Sequence, residues 1–132
     1  MVDLPVDQKQ LHCLQEAIYA EARGEDFAGQ IYVGFVIKNR VLSDRYPEGF
    51  CNVIAQPYQF SFKANGPVYM NEKEARKTAR EVAYMVITSP SVIPENVLYF
   101  TRTDTNPTWD KRMIKRHMDH GNHRLYEYIG DE

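Results

Sequence analysis

The sequence has little cysteine, no charge excess of either sign, no long hydrophobic run and no repetition, and each shortage closes off a class of protein. The longest apolar stretch runs from Ile31 to Ile37 with Gly34 inside it. That is far short of the ~20 residues a bilayer span requires, so no membrane insertion is expected. Sixteen basic residues stand against eighteen acidic ones, a balance that recommends neither a nucleic acid nor an anionic membrane as partner. The opening MVDLPVDQKQ lacks a basic start followed by an apolar run, so it does not read as a signal peptide. Synthesis in the cytosol is the expectation, with the only two thiols, Cys13 and Cys51, staying reduced there. No internal repeat, low-complexity tract or domain linker is evident.

What is present is enough for one compact domain over residues 1–132, expected to be a monomer. At this length roughly 68–70% of the unfolded surface can be buried. Nine Tyr against a single Trp suit stacking on flat polar ligands such as sugars, although half-buried Tyr is commoner as ordinary packing.

The chain is organised around Leu11 to Gly24, LHCLQEAIYAEARG. At about 100° of rotation per residue, Leu11, Leu14, Ala17, Ile18 and Ala22 share one apolar stripe, and Glu21 falls inside it. Glu16, at about 200° from Leu14, should face water. A carboxyl drawn toward the interior loses solvation for its charged form, so its pKa rises and it can hold a proton to donate. The duller alternative is a buried Glu paired or hydrogen-bonded for structural reasons. Arg23 and Gly24 read as the helix stop.

In order, Asp7 is a cap for the first helix, and Glu25 with Asp26 opens a second, GQIYVGFVIKNRVL, apolar on nearly every side and so expected to be the central buried helix. Lys38 and Arg40 suit its C-terminal dipole; Gln30 and Asn39 are its polar exceptions. A loop at 43–48 leads to a short helix at 50–56, ended by Pro57. YQFSFKANGP alternates like a short strand. Asn71 and Glu74 have capping-box spacing ahead of a third long helix at 72–87, with Ala75, Ala79, Val82, Ala83 and Val86 inward. VLYFT at 97–101 is strand-like, a short helix is expected at 109–118, and RLYEYI can pair with VLYFT.

Taken together, the AEARGE run, Gly29-Gln30, Asn39 to Val41 (NRV), Tyr46-Pro47, QPYQFSF, Leu98 to Phe100 (LYF), Trp109 and Gly121 to Tyr126 (GNHRLY) resemble the SleB-type cell-wall hydrolases. These include spore-cortex-lytic enzymes and relatives in bacteria and their phages. The resemblance covers residues 11–128. Thr101, Leu125 and Phe62 depart from residues common there (His, Phe and Trp).

The resemblance implies a helix-rich α+β fold, a single lysozyme-like domain with a small β element. It implies cleavage of peptidoglycan glycan strands at the bacterial cell wall, between N-acetylmuramic acid and N-acetylglucosamine, by lytic transglycosylation to a 1,6-anhydro-muramic end. The family's catalytic Glu carries over to Glu21. Gln59, Phe60 and Ser61 match the QFS segment and are candidates to line a saccharide groove. Tyr99, Trp109 and Tyr126 are candidate stacking faces. His123, from the GNH motif, is a candidate to bind substrate or orient Glu21, against a purely structural imidazole. No cofactor or metal is implied.

Three rivals stay open. Hydrolysis would need a second carboxylate, at about 5–5.5 Å for retention or 6.5–9.5 Å for inversion, with Glu25 and Asp44 as candidates. His117, His120 and His123, with Asp119 nearby, have the residue types of a zinc amidase or peptidase, but no H-E-x-x-H accompanies them. A non-catalytic wall-binding module is the third, though a binding groove gains little from a desolvated acid.

Overall fold

Asp7 starts the first helix, α1 (Gln8–Ala22), by accepting from the backbone N–H groups of Lys9 and Gln10. The computed structural model describes residues 6–56 and 68–130. All five residues of the expected apolar stripe are buried. Gln15 and Tyr19 join them, each with its polar end matched: Gln15 donates to the Arg76 carbonyl at 3.0 Å, and the Tyr19 hydroxyl accepts from the Glu72 N–H at 3.1 Å. Glu16 does not face open water. Its side chain is only 13% exposed, 3.9 Å from His12, because a helix wheel gives a direction and not what is packed there.

The second helix, α2 (Phe27–Leu42), is capped by Asp26, whose carboxylate accepts from the Gly29 N–H at 2.7 Å. It is the central buried helix, with Val33 to Ile37 fully enclosed. Gly34 lets the fourth helix, α4 (Lys73–Thr88), approach closely, since a Cβ there would stand 2.7 Å from a Val86 methyl. Two polar residues of α2, Asn39 and Lys38, act as bolts. Asn39 donates to the carbonyls of Pro94 and Val97, and the Lys38 ammonium donates to Val86, Ile87 and Ser89 carbonyls at 2.8, 3.3 and 2.6 Å. Lys38 therefore serves the open C-terminus of α4 rather than that of its own helix.

A short helix, α3 (Phe50–Ile54), begins after Gly49, and Gln10 of α1 accepts from its Phe50 and Cys51 N–H groups. This contact overturns the expectation of free thiols. Cys13 on α1 and Cys51 on α3 form a disulfide, with Cα atoms 5.2 Å apart, within the usual bridging span. Composition counts cysteines but does not reveal which helices dock. The capping box expected at Asn71 and Glu74 is also absent. Glu72 takes the cap position without a side-chain cap bond, its own N–H being held by Tyr19.

Three strands, β1 (Val97–Arg102), β2 (Ile114–His120) and β3 (His123–Tyr128), form an antiparallel sheet in the order β1-β3-β2. The expected pairing of VLYFT with RLYEYI holds. The helix expected at 109–118 does not form: 109–113 turns back through Met113 and Ile114 N–H bonds to the Asp110 carbonyl, and β2 follows. Pairing with β3 overrides local helix propensity there. The two-residue turn Gly121-Asn122 closes the β2–β3 hairpin, with Gly121 at φ +55, where side chains are disfavoured. The result is a helix-rich α+β fold. The strand expected in YQFSFKANGP lies outside the described residues.

β3 pairs without a bulge of its own, so its side chains alternate cleanly. His123 and Leu125 face the helices with Phe100 and Met118 beside them; Arg124 and Tyr126 face the other way with Tyr99 and Thr101.

Candidate active site

Glu21 sits in the last turn of α1 and is half-buried. Burial pushes its carboxyl pKa up, and the positive charge of Arg40 opposes that only in part. Helix C-terminal carbonyls also disfavour a negative charge. Both effects favour the protonated form.

Arg40 comes from the far end of α2 and is 4% exposed. Its Nε donates to the Leu98 carbonyl at 2.6 Å, and its guanidinium stands 5.4 Å from the Tyr46 ring centre and 5.6 Å from that of Tyr99. Burial first, then a hydrogen bond with Tyr46, drives the Tyr99 phenol well above its ordinary pKa. From Tyr99 the row continues to Trp109 at 5.4 Å between ring centres, and on to Tyr126, edge-on at 4.7 Å. Tyr126 is held in turn by the Thr101 hydroxyl at 3.4 Å. The structure thus brings the three candidate stacking residues together on one sheet face, joined to Glu21 through Arg40. Gln59, Phe60 and Ser61 lie outside the described residues.

His123 stands apart, on the opposite face of β3. It is 3% exposed, its ring meets Phe100 edge-on at 5.6 Å, and it lies beside the Glu21 backbone. Burial lowers its proton affinity below the usual value despite the neighbouring Glu25 carboxylate, and the charge of Arg102 lowers it further. In that position the imidazole lies between the end of α1 and Glu25, its Nδ1 3.7 Å from the Glu25 carboxylate.

The two acids that follow Glu21 are fully occupied. Glu25 accepts from the Asn122 N–H at 2.9 Å and from the Asn122 side-chain amide at 3.1 Å, with His123 Nδ1 at 3.7 Å. Burial alone would raise its pKa, but these bonds and the His123 ring outweigh that and leave it below the carboxylate norm. Asp26 serves both Gly29 and His120, the latter at 2.8 Å. Asp44 lines a separate cavity of about 420 Å³ with Arg45, Glu95, Asn96 and Tyr128.

The histidine triplet does not form a metal cluster. His117 faces Glu127 at 3.4 Å, His120 faces Asp26 and His123 faces Glu25, and no group of three or more ligand-type side chains converges among the described residues. Two of the histidines sit on β2 and the third lies across the hairpin turn, so the spacing that suggested a shared site separates them.

The profile of the Cell Wall Hydrolase family matches residues 24–126. The chain belongs to that family. Among similar members are the spore cortex-lytic enzymes of Bacillus subtilis, 37% identical over 80% of this chain and 34% of that protein, and of Halalkalibacterium halodurans, 33% identical over 80% and 32%. The chain therefore spans about a third of the length of these curated relatives. Among solved structures, the catalytic domain of the germination-specific lytic transglycosylase SleB from Bacillus anthracis superposes with a TM-score of 0.76 at 28% identity, covering 94% of this chain and 98% of that one. The catalytic domain of Bacillus cereus SleB gives the same score.

Arg40, Tyr46 and Asn122 have no place in a site from sequence alone, and Glu25 has one only as a candidate second carboxylate for hydrolysis, a role its bonds to Asn122 do not suit. Each lies in a motif shared with the cell wall hydrolase family, but a motif does not say which of its members meet. Its sequence position makes Arg40 a cation suited to the dipole at a helix end, and only the fold shows that it is buried.

Proposed function

We propose that this chain is a catalytic unit that cleaves peptidoglycan glycan strands between N-acetylmuramic acid and N-acetylglucosamine by lytic transglycosylation. It acts at the bacterial cell wall as a monomer. Glu21, protonated, gives its proton to the glycosidic oxygen as the bond to C1 of the muramic sugar breaks, and the N-acetylglucosamine end departs with a free O4–H. The resulting carboxylate takes the proton of the muramic C6 hydroxyl as O6 attacks C1. The 1,6-anhydro bond forms and Glu21 is protonated again. Arg40 favours the carboxylate stage electrostatically, while burial favours the protonated one. Tyr99, Trp109 and Tyr126 offer ring faces and edges to the sugars.

The observation that carries this reading is a single desolvated carboxyl at the end of α1, in a chain similar to the SleB catalytic domain. Hydrolysis is disfavoured because the second acid nearest in sequence, Glu25, has both oxygens engaged by Asn122. Mass spectrometry of digested peptidoglycan tests it. Muramic fragments lighter than the hydrolysed end by one water, about 18 Da, support transglycosylation; reducing ends at full mass mean hydrolysis, and intact glycan with cut peptides means an amidase.

A further inference from the structure

Three separated motif segments meet at one point of the fold. Glu25 ends the AEARGE run, Gly29 and Gln30 open α2, and Gly121, Asn122 and His123 make the β2–β3 turn and the first residue of β3. They interlock closely. Both Glu25 oxygens are bound by Asn122, one through its backbone N–H and the other through its side chain. Gln30 donates to the Glu25 carbonyl at 3.3 Å. Gly121 has no Cβ where one would collide with the Glu25 carboxylate, and a Cβ on Gly29 would stand 3.1 Å from both Asp26 Oδ1 and Glu25 Cβ and 3.3 Å from the His120 ring. Asp26 adds a second link from the same turn, to His120 at 2.8 Å.

We propose that Glu25 is a positioning residue: by seizing Asn122 it docks the hairpin turn onto the end of α1, which sets His123 against the Glu21 backbone and fixes the direction in which Glu21 presents its proton. The proposal rests on Glu21 being the proton donor. Glu25 itself touches no reacting atom. The last turn of a helix frays unless something outside it holds it, and here the hairpin turn is tied to Glu25, three residues past the helix end. A proton donor displaced by 1 Å loses on the order of a hundredfold in rate, so the clamp belongs to the rate and not to binding.

The test uses Glu25→Gln and Glu25→Ala in the full chain, with soluble strands of alternating N-acetylglucosamine and N-acetylmuramic acid as substrate. The expected result is a fall in kcat of about tenfold for Gln, which keeps one acceptor, and about a hundredfold for Ala, with KM within twofold of the parent. The double variant Glu25→Gln with Asn122→Asp, which swaps the charge across the contact, recovers most of the loss. Carbon NMR of the Glu21 carboxyl gives a readout that needs no turnover: in folded Glu25→Gln its titration moves back toward the ordinary carboxylate range. Unchanged kcat and an unchanged Glu21 titration overturn the proposal. So does a Glu25→Gln protein as inactive as Glu21→Gln, because Glu25 would then be part of the chemistry. If the parent cleaves no glycan, the proposed function fails separately, and the Glu21 titration still decides whether the clamp holds that side chain.

Discussion

The last turn of α1 and the turn that follows it each carry an acid, four residues apart, and the fold treats them in opposite ways. Glu21 is drawn toward the interior and its carboxyl becomes harder to ionise; Glu25 is met by a backbone N–H, an amide and an imidazole, and becomes easier to ionise. Residue type is the same in both. What differs is which neighbours arrive from the β2–β3 turn: among the described residues, its hydrogen-bond donors reach only the second carboxyl. On the proposed function, few such partners among the described residues suit the first acid to proton donation, and several suit its neighbour to anchoring.

The contrast can be broken most severely at Glu21. Glu21→Gln is expected to lower glycan cleavage by about a hundredfold to ten-thousandfold while leaving binding to insoluble peptidoglycan within twofold, read by product release and by pull-down. Retained cleavage would remove Glu21 from its role.

The opposite end of α1 provides a control. Cys13→Ser removes the bridge to Cys51, whose sequence separation is 38, and chain-entropy arithmetic for that loop gives a stability loss of about 4 kcal/mol. Denaturant unfolding is expected to show that loss with kcat of the folded fraction unchanged. A large fall in kcat would mean that whole-helix placement, and not the local clamp, governs Glu21.

Lys38→Met tests a cation remote from both acids. Its three bonds to the end of α4 imply a loss of about 2 kcal/mol in stability, with the pH profile of cleavage unmoved.

The smallest effect is the sharpest for the contrast itself. The Glu21 pKa is raised on folding, so its contribution is present at low pH and lost as pH rises through its folded value; Glu21→Gln therefore stabilises the protein at neutral pH relative to the parent. The Glu25 pKa is lowered on folding, so its contribution is present at neutral pH and lost as pH falls through its folded value; Glu25→Gln destabilises at neutral pH and converges with the parent in acid. Thermal unfolding against pH should show slopes of opposite sign for the two variants.

Glu21 was legible in the sequence because a charged residue in phase with an apolar stripe violates a pattern. The α1 stripe, the inner face of α4 and the β1–β3 pairing were legible for the same reason, since periodicity records burial. Glu25 and Asn122 violate nothing: a turn acid and a turn amide are what any loop carries, and their meeting depends on contacts nearly a hundred residues apart. β2 was misread as helix because its partner strand decides its conformation. The Cys13–Cys51 bridge was invisible because it depends on α1 and α3 docking.

One measurement addresses the contrast directly: carbon NMR titration of the Glu21 and Glu25 carboxyls in the same folded sample. The Glu21 carboxyl is expected to titrate above the ordinary glutamate value and Glu25 below it. Glu21 titrating at or below Glu25 would contradict the reading of Glu21 as the protected proton donor.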